Sequence, residues 1–351
     1  INGGAIYGHG RATRIVWDGP EGTPAETRYA ASIRTGARMF HSNGYGRCLY
    51  FGLTFDGQGK ATVGIDHDSK NKYETRVRHE FCSFSNFTDS GIRIGHDQKT
   101  ASAELMFYDC VFENCRRGIS FLSFNDYDNA IVRNIFRDCG TGVFCHRGNV
   151  YVRDSHFENS RNQDILLPPH SHSVRRCTSR GSAAFIRPSQ PGHYTLQLQV
   201  QDCLVEGWTS RDGALRLQNS GPVLVFDCIF RNPGTDASPA IALRNNKRYV
   251  QTLLTANVRC GDGVTPLANE VKTNRVVDIP RDRPQSLIAS RAARRWDRRP
   301  EFPQKVFDAV EDFGADNTGR EDASEAIQRA IDAAANWEDG LAEAYVPAGS
   351  Y

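Results

Sequence analysis

The residues of this chain that could do chemistry fall in short polar clusters at a nearly regular interval. Asp66-His67-Asp68, His96-Asp97-Gln98-Lys99, Asn125-Asp126-Tyr127-Asp128, His146-Arg147 and His170-Ser171-His172 each bring imidazole or carboxylate to one point of a recurring unit. These are the side chains that donate and accept protons near neutral pH. Tyr108, Tyr151, Arg153 and Arg175 follow on the next segments. Arginine forks suit carboxylates, and Tyr rings suit flat sugar faces. Asp126 and Asp128, with Asp97 one cluster earlier, could flank a bond as a hydrolytic carboxyl pair, which needs about 5 to 9.5 Å between its members. His146, His170 or His172 beside Arg153 and Arg175 could instead remove the proton next to a uronate carboxylate, the opening step of a β-elimination. His96, Asp97, Tyr127, Arg147, Tyr151, Arg153 and Arg175 are then the residues that would hold the ligand. None of this works unless segments far apart in sequence lie side by side.

The chain carries the pattern that would align them. Phe81-Cys82-Ser83-Phe84-Ser85-Asn86, Asp109-Cys110-Val111-Phe112-Glu113-Asn114, Arg133-Asn134-Ile135-Phe136-Arg137-Asp138, Asp154-Ser155-His156-Phe157-Glu158-Asn159 and Asp227-Cys228-Ile229-Phe230-Arg231-Asn232 are copies of one short strand ending on Asn or Asp. A second strand led by glycine follows, as in Gly91-Ile92-Arg93-Ile94, Gly118-Ile119-Ser120-Phe121 and Gly142-Val143-Phe144-Cys145. Anchored at 53, 82, 110, 134, 155, 177, 203 and 228, the copies step by 29, 28, 24, 21, 22, 26 and 25 residues. Such a period is one coil of a solenoid, with strands stacked about 4.8 Å apart. A sandwich would need hairpin turns and leaves the returning Asn unexplained. If the turns align, the polar edge runs about 19 Å over four steps.

Composition narrows the class. Hydrophobic residues are 39% and charged residues 24%, which is a globular balance. The net charge is only +2, which excludes an overall basic field for nucleic acid. No run of about 18 apolar residues could span a bilayer. Ten cysteines are present without any CxxC spacing. Cys82, Cys110, Cys177, Cys203 and Cys228 share one inward column, where parallel side chains do not meet the geometry of a disulfide, so they read as buried thiols. A zinc-type cysteine set is not indicated.

The Cys/Val-x-Phe-x-Asn strand, its turn and the Gly-Ile-x-Ile strand resemble the right-handed parallel β-helix of the pectate-lyase-like superfamily. In that family the recurrent Asn stacks from coil to coil. Asn86, Asn114, Asp138, Asn159 and Asn232 match that position, and Gly181 and Gly207 interrupt it. Past residue 306, Val310-Glu311-Asp312-Phe313-Gly314-Ala315-Asp316, an Ala326/Ile327/Ala330/Ile331/Ala334 helix led by a capping-box-like Asp322 and Glu325, and Tyr345-Val346-Pro347-Ala348-Gly349-Ser350-Tyr351 are similar to the segment that opens such a β-helix. The chain's end therefore reads into its own start. That order fits either a slice of a tandem protein, as in exo-β-1,3-glucanases with two β-helices, or a rotated chain whose last module caps its first coil.

The sequence thus predicts an all-β chain: a right-handed parallel β-helix of about 9–11 coils over residues 1–279, an Arg-rich linker at 280–306, and a short C-terminal α/β capping module at 307–351. The expected activity is cleavage of an extended polysaccharide, by glycoside hydrolysis, with β-elimination on a uronate glycan close behind. The competing class is a non-catalytic glycan-binding or structural spine, like an adhesin or tail-spike. The expected partner is a polysaccharide or oligosaccharide, with neither nucleic acid nor membrane, and with a second β-helix domain or neighbouring subunit in the tandem case. No cofactor is expected, although the resemblance implies Ca²⁺ for some lyases, and Asp66 and Asp68 would leave room for it if the chemistry were elimination; the expected location is extracellular or periplasmic.

Overall fold

The computed structural model describes residues 5–8, 13–21, 37–42, 46–67, 73–95, 101–122, 125–188, 197–217, 221–234, 238–244, 251–270, 273–279, 305–338 and 342–347. The chain forms two compact units, residues 1–296 and 297–351. The expected linker falls, up to residue 304, outside the described residues.

The first unit is a parallel β-helix. Each coil contributes one strand to each of three sheets: a first sheet of eleven strands from Ala5–Tyr7 to Arg275–Asp278, a second of ten from Arg14–Val16 to Arg259–Cys260, and a third of ten from Arg38–Ser42 to Leu267–Asn269. The sequence anchors lie in register. The carbonyls of Leu53, Cys82, Cys110, Asn134, Ser155, Cys177, Cys203 and Cys228 each accept from an N–H one coil further on, at 2.8–3.0 Å.

Two turns in every coil need a left-handed backbone. Between the first and second sheets Phe81, Asp109, Arg133, Asp154, Arg176, Asp202 and Asp227 have φ of 50–56°. Between the second and third sheets Asn86, Asn114, Asp138, Asn159 and Asn232 have φ of 50–61°, and Gly181 and Gly207 take 63° and 70°. Asn, Asp and Gly tolerate this region best, which explains why glycine replaces Asn at two coils without breaking the pattern. The amides also bond between coils: Asn86 Nδ2 donates to Asp56 Oδ1 at 3.0 Å, Asn114 Nδ2 to Asn86 Oδ1 at 2.9 Å, and Asn159 Nδ2 to Asp138 Oδ1 at 3.2 Å. At the other turn, Arg133 grips Asp109 with both Nε and Nη2 (2.7 and 2.6 Å), and Arg176 grips Asp154 in the same way (2.7 and 2.9 Å).

The core is built in files. Phe55, Phe84, Phe112, Phe136 and Phe157 pair in register and stack with ring centroids 4.8–5.2 Å apart and planes within 9°. Across the barrel Gly64, Gly91, Gly118 and Gly142 leave room for those rings. A Cβ on Gly118 would sit 2.6 Å from the Phe136 ring and 2.6 Å from the carbonyl oxygen of Gly142. All ten cysteines are free thiols. Those of the inward column are fully buried, and Cys177, Cys203 and Cys228 each donate to the carbonyl two residues back, at 3.2–3.4 Å.

Both files change together at one coil. Phe157 pairs with Ser179, and Gly142 faces Asp164, since Thr141 pairs with Gln163 and Val143 with Ile165. Where the ring is lost, a carboxyl takes its space. Asp164 is fully buried among Ser160, Ser179 and Ser182. Those hydroxyls act on the carboxyl, yet neither of its oxygens has a full hydrogen-bond partner among the described residues. Burial pushes its pKa up to about 7, with the three hydroxyls working against the shift.

The second unit pairs Lys305–Asp308 in parallel with Ala342–Tyr345 and lays the helix Ser324–Ala335 against them. Ala309, Ala315, Ala323, Ala326 and Ala330 form its core, while Ile331 of the expected stripe stays exposed. The capping box does not form. The helix cap is Ala323, and Asp322 instead accepts the N–H of Ser324 at 2.9 Å in a local turn.

Asp164 makes stability depend on pH. Below about pH 4 the carboxyl is protonated folded or unfolded; from 4 to 7 only the unfolded chain releases the proton, and above 7 the whole penalty is present, on the order of 4 kcal/mol. Asp164→Asn is therefore expected to raise stability in denaturant titrations at pH 8 and to change it little at pH 4. Equal effects at the two pH values would contradict the buried, proton-holding carboxyl.

Candidate functional site

Three successive turns between the third and first sheets are themselves strands. Tyr73–Thr75, Ala101–Ala103 and Asn125–Tyr127 pair in parallel, with Ser102 opposite both Glu74 and Asp126. Alternation sends that file inward, and Glu74, Ser102 and Asp126 are at most 1% exposed. From its polarity the Asn125–Asp128 cluster is expected at the outer edge, Asp126 included. The structure seals it inside, so it cannot flank a bond in a ligand bound outside. Its backbone carbonyl accepts the N–H of Asn149 at 2.9 Å and lies 1.7 Å from where a Cβ on Gly148 would stand, at φ +76°; only glycine fits there.

Asp128 follows in the left-handed region, at φ 56°, which turns it outward and exposed. Tyr151 Oη donates to Asp128 Oδ1 at 3.3 Å and accepts from Asn149 Nδ2 at 3.0 Å, while the Asp128 N–H donates to Asn149 Oδ1 at 2.6 Å. Burial first, and then the Asp128 charge, hold the Tyr151 phenol above its usual range. Two coils on from Tyr127, with Gly148 at the position between them, His170 stands edge-on to its ring, with centroids 5.6 Å apart at 88°. Burial and the Arg147 charge lower the His170 pKa, so its imidazole is neutral at pH 7. His146 lies nearly parallel to the Phe144 ring at 6.4 Å, with its pKa lowered by burial and then by Arg147 and Arg117. Tyr127, Asp128, Tyr151 and His170 thus meet in two contacts on one edge. On the neighbouring strands Arg153 pairs in register with Arg175, both exposed and neither with a carboxylate partner among the described residues. His96 and Asp97 lie outside the described residues.

His172 is not at the edge. It occupies an inward position of Ser171–Arg175, where Nδ1 accepts the Val150 N–H at 3.3 Å and Nε2 donates to the Pro168 carbonyl at 2.9 Å. Both ring nitrogens are used by backbone, and burial takes its pKa down to about 4. It is a core histidine of fixed tautomer, unavailable as an outer base.

Sequence reasoning missed a buried polar chain. His67 Nδ1 meets Glu74 Oε1 at 2.9 Å and His67 Nε2 meets His79 Nε2 at 3.0 Å; Ser42 Oγ donates to the same Glu74 oxygen at 2.7 Å. His79 is stacked between Tyr50 and Phe107 at 5.0 Å each, and burial together with His67 keeps it neutral. His67 thus bridges Glu74 and His79, and the tautomer decides which ring nitrogen donates in each contact. The signal was present: His79 falls at the inward step of Arg78–Glu80, in file with Tyr50 and Phe107. Asp66 is likewise committed, bound by Arg93 at 2.9 and 2.8 Å and by Arg38 at 2.9 Å. A carboxylate already neutralised by two guanidiniums does not fit the Ca²⁺ role that the sequence left open for it. Asp68 lies outside the described residues. Among the described residues no group of three or more His, Cys, Asp or Glu could hold a metal ion.

The histidine assignment is testable by pH. A folded pKa lowered from 6.5 to about 4 withdraws stability as pH falls through that window, on the order of 3 kcal/mol for His172. His172→Gln, which can still accept from Val150 and donate to Pro168, should flatten the loss between pH 6.5 and 4. An unchanged slope would show that this imidazole is protonated in the fold.

Comparison with solved structures finds three glycan-active proteins of low identity. The A-module of the Azotobacter vinelandii mannuronan C-5 epimerase aligns over 79% of this chain and 84% of its own, at 13% identity and a TM-score of 0.39. The catalytic domain of an α-1,3-glucanase in complex with nigerose covers 71% of this chain and 63% of its own, at 11% identity and 0.36. Endo-xylogalacturonan hydrolase from Aspergillus tubingensis covers 79% and 90%, at 10% identity and 0.33. No curated protein matches the sequence. Residues 307–351, within the second unit, match the sequence profile of the family described as rhamnogalacturonase A/epimerase, pectate lyase-like. The pectate-lyase-like resemblance therefore stands on the sequence of the C-terminal segment, and the body has the parallel β-helix that this resemblance implies.

Proposed function

We propose that the β-helix binds an extended acidic polysaccharide along the edge from Tyr127 to Arg175 and breaks it there. The observation that carries this reading is the Arg153–Arg175 pair, exposed, in register and without a carboxylate of its own, beside an edge that holds Asp128, Tyr151 and a neutral His170. Parallel strands space the two forks by about 4.8 Å, close to the reach of one or two carboxylates on a single glycan. The family name attached to the 307–351 match supports a glycan as the ligand.

Of the two chemistries, β-elimination is favoured by these residues. The arginines would neutralise the uronate carboxylate, His170 would accept the adjacent proton, and the glycosidic oxygen would leave with its electron pair. Hydrolysis is the second reading. It loses Asp126 to the interior and would rest on Asp128 with Asp97. No helix among the described residues is long and apolar enough to cross a membrane. A polymer substrate of this kind suits an extracellular or periplasmic protein.

The test is turnover of uronate polymers by the wild type and by single variants. Arg153→Gln and Arg175→Gln are each expected to raise KM about tenfold, near 1.4 kcal/mol. His170→Gln is expected to lower kcat at least a hundredfold, with unsaturated sugars at the new ends. New reducing ends without unsaturation would move the assignment to hydrolysis. Unchanged kcat/KM in His170→Gln and Asp128→Asn would remove this edge as the site, and binding without breakdown by the wild type would make the body a glycan-holding spine.

A further inference from the structure

A second group of arginines lies on the outer face of the third sheet, in later coils than the Tyr127–Arg175 edge. Ile186 pairs with Leu215, so Arg187 and Arg216 stand at one outward position in consecutive coils; Arg244 follows Leu243, which pairs with Leu217. Two acids stand among these three guanidiniums and pair with two of them. Asp212 receives Arg216 Nη1 at 2.8 Å and Arg244 Nη2 at 2.9 Å, and Glu270 receives Arg244 Nη1. Arg187 has no carboxylate within ion-pair distance among the described residues; its Nη2 donates to the hydroxyl of Ser210. The Nε–H groups of Arg187, Arg216 and Arg244 are buried and have no acceptor among the described residues.

This arrangement is short of negative charge. Burial lowers the Arg187 pKa, the Asp212 carboxylate acts against that, and Arg216 and Arg244 push further down. Buried donors without acceptors cost free energy, and an ion or water that completes the network is one way native proteins recover it. The group is nevertheless within reach of solvent, since the side chains of Arg216 and Arg244 are 29% and 21% exposed. Arginine's planar fork selects oxyanions over other anions, because two parallel N–H groups match two oxygens of one carboxylate or sulfate.

We propose that Arg187, Arg216 and Ser210 form an oxyanion site on the third sheet, taking a carboxylate or sulfate group carried by an acidic glycan or present as a free ion. The site is separate from the Tyr127–Arg175 edge and does not depend on the reaction assigned there.

Isothermal titration of the full chain at constant ionic strength tests it, with sodium sulfate as one probe and a short oligouronate as the other. The oligouronate arm is run in an Arg153→Gln/Arg175→Gln background, so that binding at the first edge is not counted. Saturable binding of at least one probe is expected, weakened at least tenfold by Arg187→Gln and by Arg216→Gln. Arg211→Gln, which removes an exposed arginine of the neighbouring turn, should leave it unchanged. Tighter binding of the oligouronate would assign the oxyanion to a glycan, and equal or tighter binding of sulfate to a free ion. No saturable binding of either probe to protein with Arg187 and Arg216 intact overturns the site. So does equal binding in folded Arg187→Gln and Arg216→Gln.

Discussion

Everything in the β-helix depends on holding neighbouring coils in register, and the backbone does this with two left-handed residues per coil. A residue at φ near +55° reverses the chain sharply enough for a three-residue strand to end and the next to begin on a new wall. Because Asn, Asp and Gly accept that conformation at little strain, their recurrence is a backbone requirement first. The side-chain bonds between coils, such as Asn114 to Asn86 and Arg176 to Asp154, are added on top of it. The same repetition keeps phenylalanine over phenylalanine and thiol over carbonyl. It also means that one outward residue placed twice, one period apart, becomes a pair without any further design.

The polar residues of the body divide into two populations that the sequence does not label. Asp126, Glu74, His67, His79, Asp66, Arg93, Asp164 and His172 are sealed, and most are tied to a specific partner or held neutral by burial. Asp128, Tyr151, Arg153, Arg175 and His170 face out or stand half-buried at the edge. Sealed charges of this kind constrain register, since a coil slipped by one residue would leave each of them unpaired in a low-dielectric interior. Of these two sets only the second can meet a ligand, and within it the arginine pair is distinguished by lacking a carboxylate partner among the described residues.

The fold was legible because its signal is repetitive. Eight anchors read from spacing coincide with eight consecutive hydrogen bonds between coils, and the inward cysteine column lies where alternation put it. The site was less legible for a local reason. Asp126 and His172 sit in segments that read as turns from their polarity, yet lateral pairing with Ala101–Ala103 and with Gln197–Gln201 turns both into strands whose alternate residues face in. The Arg153–Arg175 register, by contrast, followed from two strands of equal phase. The exchange of Phe and Gly for Ser179 and Asp164 was in the sequence as well, but it takes two files compared across the barrel to notice it.

That exchange divides the body mechanically. A stack of coils is held by nearest-neighbour contacts, and its cohesion is no greater than its poorest interface. Above the joint five aromatic rings lie face to face; at the joint a carboxyl with no full hydrogen-bond partner among the described residues and three hydroxyls take their place. The column is therefore two cooperative blocks meeting at a seam whose strength changes with the protonation of a single acid. Heat or tension would part the solenoid there before it frayed the aromatic half.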